Sequence, residues 1–269
     1  MNIQATNKIV IIGCGNVAWH LAKRLSFLKK YNLFIYNHQK NAALQDFKSE
    51  LKCKTQANLN NMITDADVYF ICVSDNYISQ VSQKIKCSTK YGAVVVHTSG
   101  STRLSAIKTT CANQGVFYPL QTFSKKDKVK WSEIPIIIEA NNSMAKKRIT
   151  FLARHFSTKT LYLDYTERCR LHLSAVLVNN FTNALYMAAA DLLQQGSTQA
   201  RFDLLLPLIK QTTRKLERLS PLEAQTGPAK RNDKLVLDNH IKLLSENPDL
   251  RRLYRGFSKL IMKQQQAHA

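Results

Sequence analysis

Three small residues near the start of the chain have the spacing of a phosphate-binding turn. Gly13, Gly15 and Ala18 form the pattern G-x-G-x-x-A between an apolar run and a stretch with helical periodicity. In such a turn the first glycine makes a tight bend, the second lets the backbone approach a pyrophosphate, and the third small residue lets helix pack on strand. The helix N-terminus, at Asn16 and Val17, offers unpaired N–H groups to phosphate. The pattern therefore predicts a bound dinucleotide, with a ligand-free strand-to-helix turn as the alternative.

The end of the next predicted strand indicates which dinucleotide is bound. NAD sites usually carry Asp or Glu about 20 residues after the glycines, where the carboxylate binds the ribose 2′-hydroxyl. The stretch here reads YNHQK, with Asn37, His38 and Lys40 and no acid. Because an acid would repel a 2′-phosphate, its absence favours NADP(H) over NAD. The alternative is that these are ordinary turn residues.

Two later predicted strands also end in polar residues. Val73, Ser74 and Asp75 end the stretch CVSD, and His97 and Ser99 lie in HTSGS. Ligands of open α/β sheets lie outside the carboxyl ends of the strands. We therefore expect Val73, Ser74 and Ser99 beside the cofactor and Asp75 as the cap of the next helix. His97 is a candidate proton donor, or a hydrogen-bonded strand-end histidine without a chemical role.

A further set of polar residues lies on a long, otherwise apolar predicted helix. At 100° per residue, His172, Asn179 and Asn183 fall within about 40° of one another. Burying a polar group without a partner costs roughly 1–3 kcal/mol. The pattern therefore indicates a substrate-facing cleft, with a structural hydrogen-bond network or a dimer contact as alternatives.

The segment QTGPAKRND is a second candidate for substrate binding. Gly227 and Pro228 predict a helix start, since proline suits the first helical position. Lys230 and Arg231 add positive charge there, which could hold a carboxylate or phosphate. An ordinary loop-to-helix junction is the alternative.

The hydrophobic pattern predicts two domains. Short β-rich runs alternate with helical stretches up to residue 164, which favours a mainly parallel sheet covered by helices. The rest of the sequence has only helical periodicity. We therefore predict an α/β domain over residues 1–164 and an all-helical domain over residues 165–269. The predicted strands are 8–13, 33–37, 52–55, 68–75, 92–100, 115–120, 134–140 and 160–164, and the predicted helices are 15–30, 76–87, 103–113, 143–157 (capped by Asn142), 166–195, 200–219, 230–245 and 249–265.

Composition restricts the environment and partners. Lys and Arg number 39 against 18 Asp and Glu, a formal charge of +21, yet the basic clusters lack aromatic interleaving. Solvated helix faces are therefore favoured, and nucleic acid is not an expected partner. The six cysteines have no metal-like spacing, which predicts free thiols, no metal and a reducing compartment. No leader and no apolar run of about 20 residues is present, so we expect a cytoplasmic protein without a membrane partner.

Six motifs occur in an order that resembles a known bacterial family. They are GCGNVAWHLAKRL, VSDNYI, HTSGS, FYPLQTFS, HLSAVLVNNFTNALY and QTGPAKRND. Together they resemble proteins that join a Rossmann-like domain to a DUF2520-type domain, relatives of pyrroline-5-carboxylate reductase and the β-hydroxyacid dehydrogenases. The resemblance implies a helical domain like that of 6-phosphogluconate dehydrogenase, a homodimer formed through it, and an NADP-dependent oxidoreductase. A small imine or carbonyl would be reduced in the cleft between the domains.

The chain departs from these relatives at two positions. The β-hydroxyacid dehydrogenases carry a catalytic lysine four residues before an asparagine, where this chain has Ala175 before Asn179. Tyr118 stands where many relatives carry histidine. We therefore expect His172 to donate the proton, with His97 and Tyr118 as alternatives. The remaining expected substrate contacts are Asn179, Asn183, Ser99, Gln121, Lys230 and Arg231. The missing lysine also leaves open a non-catalytic NADP-binding sensor or scaffold.

Overall fold

A computed structural model describes residues 7–88, 92–195 and 201–267. Its first part is built on one eight-stranded sheet with strand order β3-β2-β1-β4-β5-β6-β7-β8. All pairs are parallel except the antiparallel pair β6–β7. Each predicted strand is present, and the mainly parallel sheet is confirmed. The strands are β1 (Lys8–Ile12), β2 (Asn32–Tyr36), β3 (Lys54–Gln56), β4 (Val68–Ile71), β5 (Val94–His97), β6 (Asn113–Pro119), β7 (Ile136–Ala140) and β8 (Thr160–Tyr162).

The central strands are buried on both faces, as their continuous apolar sequences predict. Ile9 and Ile11 of β1 belong to one hydrophobic cluster, whereas Val10 and Ile12 belong to another on the opposite face. The alternation follows because successive side chains of a strand point to opposite faces. The helices of this part are α1 (Asn16–Phe27), α2 (Ala42–Ser49), α3 (Ile78–Ser82) and α4 (Ser143–Ala153).

The strand order places the turn after β1 at a point where the chain direction across the sheet reverses. From β1 the sheet continues to β2 and β3 on one side and to β4, β5 and β6 on the other. Ligands of doubly wound sheets bind in the crevice at this switch point, outside the carboxyl ends of the strands. The turn after β1 and the ends of β4, β5 and β6 therefore share one edge of the sheet.

Two local predictions in this part are wrong. The predicted helix 103–113 is only a 3₁₀ turn at Leu104–Ala106. The backbone N–H of Lys108 donates instead to Ser82 Oγ at 2.7 Å, and Thr109 Oγ1 donates to the Ile85 carbonyl at 2.7 Å. These tertiary hydrogen bonds replace a helical ladder. The second error is that helix α2 was not predicted. The predicted cap of α4 is confirmed, because Asn142 Oδ1 accepts a hydrogen bond from the Ala145 N–H at 2.8 Å.

The expectation of six free thiols is wrong for one pair. Cys87 and Cys111 form a disulfide, while the other four cysteines are free. The two are 24 residues apart in sequence, and no C-x-x-C pattern marks them, so spacing could not reveal the pair. None of the described helices combines the length and the hydrophobicity needed to cross a membrane.

The described residues after β8 are mainly helical. The elements are α5 (Tyr165–Ala175), a π-helix (Val176–Phe181), α6 (Thr182–Gln194), α7 (Leu206–Lys215), α8 (Pro221–Ala224), α9 (Lys234–Leu243) and α10 (Pro248–Gln266). The chain divides into two compact units, Met1–Asn179 and Asn180–Ala269. Helix α5, which the sequence prediction placed in the second domain, therefore lies in the first unit. The reason is that side chains of α5 bind the loop after β5, as described below.

Candidate functional site

The glycine turn after β1 has the backbone that its pattern predicts. Gly13 has φ +107°, and a Cβ at this position would lie 2.2 Å from the Cys72 carbonyl oxygen at the end of β4. Only glycine fits there. A Cβ on Gly15 would meet no atom within 4 Å, so space is open beside this residue. Ala18 is fully buried in the core under α1. The three small residues thus differ in role as the pattern requires.

The N-terminus of α1 adds free donors beside that open space. Gly15 is the N-cap residue and provides no side-chain cap. The first backbone bond of the helix runs from the Trp19 N–H to the Gly15 carbonyl at 3.0 Å. The N–H groups of the first turn, Asn16 and Val17 included, therefore have no partner within the helix, which suits an anionic ligand. These features fit the pyrophosphate of a dinucleotide.

The loop after β2 carries no carboxylate at its tip. Asn37 is buried, and its Nδ2 donates to the Gln39 carbonyl at 2.9 Å. His38 and Lys40 are exposed. Asn37 thus shapes the loop, and His38 and Lys40 are the predicted contacts that remain accessible to a ligand.

A tyrosine and a histidine meet at the carboxyl end of β6. The Tyr118 hydroxyl lies 2.9 Å from His172 Nδ1, and the two rings pack edge to face with centroids 5.8 Å apart. Burial raises the pKa of Tyr118 to about 12, although the Arg168 charge opposes this effect. Tyr118 is therefore a protonated phenol, which can donate to Nδ1 of a neutral His172 ring or accept from Nδ1–H of a protonated one. Within the described residues, His172 Nε2 has no hydrogen bond. The structure thus brings together two of the predicted proton donors.

The loop after β5 packs directly against this pair. A Cβ on Gly100 would lie 2.5 Å from His172 Nδ1 and 2.7 Å from the Tyr118 ring. The absence of a side chain at Gly100 therefore allows the loop to lie beside the two rings. Ser99 precedes it and is half-buried, so the predicted ligand contact at Ser99 lies next to the tyrosine and histidine.

Asp75 does not cap a helix as predicted. The N-cap of the short turn after β4 is Ser74, and the Asp75 carboxylate instead accepts hydrogen bonds from Ser99 Oγ at 2.7 Å and Ser101 Oγ at 2.8 Å. Burial would raise the pKa of Asp75, but hydrogen bonds from Ser99, Ser101 and Thr102 outweigh that effect and lower it. The ionised carboxylate therefore joins the loop after β4 to the loop after β5.

The lowered pKa predicts an acid-sensitive contribution to stability. Because folded Asp75 holds its proton less tightly than unfolded Asp75, its stabilisation is present above the usual pKa of 3.8 and is lost as the pH falls further. We expect Asp75→Asn to lower the free energy of unfolding at pH 7 and to differ less from the parent protein at pH 3. Urea titrations at both pH values measure this. An equal difference at both pH values would contradict the assignment.

His97 has a different environment from His172. It is fully buried at the end of β5, and its Nδ1 accepts a hydrogen bond from the Ser99 N–H at 3.2 Å. Burial first, and then the Arg168 charge, lower the pKa of His97 to about 4. A neutral, enclosed imidazole is poorly suited to protonate a substrate, so we keep the structural alternative for His97.

Arg168 is a buried residue of this region that sequence reasoning missed. Its side chain is fully buried and binds the loop after β5 and Glu139 of β7. Its position four residues before His172 on one helix face was an available signal. Arginine near the charged end of a helix is usually a surface residue, so the residue type alone did not indicate that Arg168 is buried.

The other predicted site residues are mostly exposed. Val73 is half-buried and Ser74 exposed after β4, and Gln121 is exposed, with Oε1 accepting from the Thr122 N–H at 2.8 Å. Asn179 and Asn183 are exposed as well. The α-helical spacing used to align them with His172 is wrong, because residues 176–181 form a π-helix with i→i+5 bonds.

The segment around Gly227 also differs from its prediction. Gly227 has φ +105° and Asn232 has φ +52°, so the segment turns twice before α9 begins at Lys234. Pro228 therefore does not start a helix. Asp233 caps α9, accepting from the Val236 N–H at 3.3 Å. Lys230 and Arg231 are exposed within this turn.

Comparison with known proteins agrees with this architecture. Residues 8–100 match the family described as NADP oxidoreductase coenzyme F420-dependent, and residues 134–261 match the domain of unknown function DUF2520. None of the curated proteins matches the chain. BF3122 from Bacteroides fragilis, described as an NADP oxidoreductase, is 34% identical over 97% of this chain and 100% of its own, with a TM-score of 0.87.

More distant solved structures share the fold. A pyrroline-5-carboxylate reductase from Coxiella burnetii is 16% identical, with 96% of this chain and 97% of that chain covered and a TM-score of 0.56. An imine reductase from Myxococcus stipitatus in complex with NADP⁺ is 13% identical, with 95% and 92% covered and a TM-score of 0.58. The chain therefore belongs to the family of BF3122, a family of Rossmann-like oxidoreductases, and its C-terminal part is a DUF2520 domain, as the motifs predicted.

Proposed function

We propose that this protein is an NADP(H)-dependent reductase of a small imine or carbonyl compound and acts as a homodimer. The observation that carries the proposal is the Tyr118–His172 hydrogen bond of 2.9 Å at the sheet edge that also holds the phosphate turn. The turn accounts for cofactor binding, and the pair accounts for proton transfer. Neither feature alone would indicate a reductase.

The residues present fit a bound NADP(H). The first turn of α1 and the open space beside Gly15 would hold the pyrophosphate, and His38 and Lys40 would face the 2′-phosphate. When bound, the cofactor supplies a hydride. The similar protein BF3122, described as an NADP oxidoreductase, and the imine reductase solved in complex with NADP⁺ support the same cofactor.

In this proposal His172 is the proton donor and Tyr118 orients it. In the imidazolium form that acts as the acid, Nδ1–H is hydrogen-bonded to the Tyr118 oxygen and Nε2–H faces the acceptor. When Nε2 gives up its proton, Nδ1 keeps its own and the ring becomes neutral. Histidine is the side chain that most often acts as a general acid or base. The Ser99 hydroxyl, held by Asp75, lies in the adjoining loop and would orient the substrate. Asn179, Asn183, Gln121, Lys230 and Arg231 remain proposed substrate contacts.

The homodimer is supported by apolar exposure in the helical unit. Helices α7 and α10 each have a strongly apolar face. Residues of these helices are nevertheless exposed: Leu208 of α7 is 64% exposed and Phe257 of α10 is 42% exposed. The two core clusters of the described residues contain no residue beyond Phe156. Exposed apolar helix faces of this kind are typical of an interface between subunits. A second copy of the chain would cover it.

Fluorescence titration with NADPH and NADH tests the cofactor assignment. We expect NADPH to bind at least tenfold more tightly, because the loop after β2 lacks a carboxylate and exposes His38 and Lys40. The variant His38→Asp should reduce that preference by adding a negative charge beside the 2′-phosphate. Tighter binding of NADH by the parent protein would contradict the assignment.

A further inference from the structure

We propose that Arg168 is a positioning residue that holds the loop Ser99–Thr102 against the Tyr118–His172 pair. The inference rests on the proposed reductase function and adds to it a residue that touches neither cofactor nor substrate. Three observations carry it: the hydrogen bonds of the guanidinium, its place on α5, and the packing of Gly100.

The guanidinium donates hydrogen bonds to three backbone carbonyls of that loop. Nη1 donates to the carbonyls of Ser99 at 3.1 Å and Gly100 at 3.0 Å, and Nη2 donates to the Thr102 carbonyl at 2.9 Å. Nη2 also forms an ion pair with Glu139 at 2.7 Å. A fully buried charge is expensive unless it is paired and hydrogen-bonded, and here the partners are mostly loop carbonyls. The charge is therefore arranged around the loop rather than around one carboxylate.

The same loop sets the position of the aromatic pair. Arg168 donates a hydrogen bond to the Gly100 carbonyl. The Cα of the same residue lies directly against His172 Nδ1 and the Tyr118 ring. Arg168 and His172 are four residues apart on α5 and so lie on one face of the helix. One side chain thus connects the loop to the helix that carries the proposed proton donor.

The charge of Arg168 also affects the ionisation of its neighbours. After burial it is the next largest influence that lowers the pKa of His97, and it opposes the rise in the pKa of Tyr118. Asp75 acts on His97 in the opposite direction. The buried cation therefore helps to keep the adjacent His97 imidazole neutral.

The experiment compares Arg168→Lys, Arg168→Met and Glu139→Gln with a control, Arg170→Met. Arg170 lies on the same helix but is exposed. Hydrogen exchange is measured at the N–H groups of Ser101 and Thr102, which both donate to Ser99 Oγ. The ring ¹⁵N signals of His172 and His97 are recorded by NMR, and NADPH affinity by fluorescence.

We expect both Arg168 variants to exchange these N–H groups at least tenfold faster and to shift the His172 ring signals. The pKa of His97 should rise in Arg168→Met and stay low in Arg168→Lys, which keeps the charge. Affinity for NADPH should stay within twofold, since the phosphate turn lies at β1. Arg170→Met should match the parent protein in every measurement.

Two results would overturn the proposal. One is a uniform rise in exchange over the whole sheet with no local change, which would mark Arg168 as merely structural. The other is unchanged exchange and unchanged His172 signals in Arg168→Lys. If the Arg168 variants do not fold, Glu139→Gln decides between the same outcomes, with an expected local increase of about threefold. Failure of the parent protein to bind NADPH would instead contradict the proposed function, because exchange and ring signals are measured without cofactor.

Discussion

His172→Ala is expected to lower the turnover of a small cyclic imine with NADPH by about 10²–10⁴-fold, the usual contribution of a general acid. Among the described residues around Tyr118, the substitution removes the one accessible imidazole nitrogen, because His97 is enclosed and neutral. NADPH affinity should change little, since the imidazole is bound to Tyr118 rather than to the glycine turn. Steady-state rates over an imine panel, with the fluorescence titration beside them, measure both effects.

The helical unit offers a matched control for this substitution. His240 Nδ1 lies 2.8 Å from the Tyr254 hydroxyl, and these rings also pack edge to face, with centroids 5.6 Å apart. His240→Ala therefore removes a tyrosine-bound histidine outside the proposed site and should leave turnover nearly unchanged.

Tyr118→Phe tests whether the pair acts as one unit. We expect a smaller loss than for His172→Ala, and a double variant no slower than His172→Ala alone, since coupled groups are not additive. Unchanged turnover in His172→Ala would remove this residue from the mechanism.

Gly13→Ala should lower the free energy of unfolding by about 2–4 kcal/mol and abolish NADPH binding. The new Cβ would lie 2.2 Å from the Cys72 carbonyl oxygen, and φ +107° is strained for alanine. Both effects force β1 and β4 apart at the switch point of the sheet. Chemical denaturation and NADPH titration measure the two losses.

Gly15→Ala separates stability from binding at the same turn. Its Cβ would meet no atom within 4 Å, and the residue has φ −77°, so the fold should tolerate the change to within about 0.5 kcal/mol. NADPH affinity should still fall at least tenfold, because the methyl group would occupy the space proposed for the pyrophosphate. Full NADPH affinity in this variant would place the cofactor elsewhere.

Much of the architecture was predictable because it depends on local periodicity. The continuous apolar run of β1 and the glycines after it specify a buried strand and a tight turn within ten residues. Where a segment's hydrogen bonds go to distant groups, prediction failed. Lys108 and Thr109 are irregular because they bind Ser82 and Ile85. A local deviation had the same effect at residues 176–181, where the π-helix changes the α-helical spacing from which the stripe of His172, Asn179 and Asn183 was inferred.

The sequence by itself determined the mainly parallel sheet, the phosphate turn and the polar strand ends, since each follows from residue type and spacing over a few residues. It also named Tyr118 and His172, but as alternatives. Only the tertiary structure joined them, across 54 residues of sequence, and showed that Arg168 reaches back 69 residues to the Ser99 carbonyl. The structure also showed that the two histidines differ in burial: His97 is enclosed at the end of β5, whereas His172 is only partly buried. Burial and charge proximity arise from long-range packing, which no local pattern encodes.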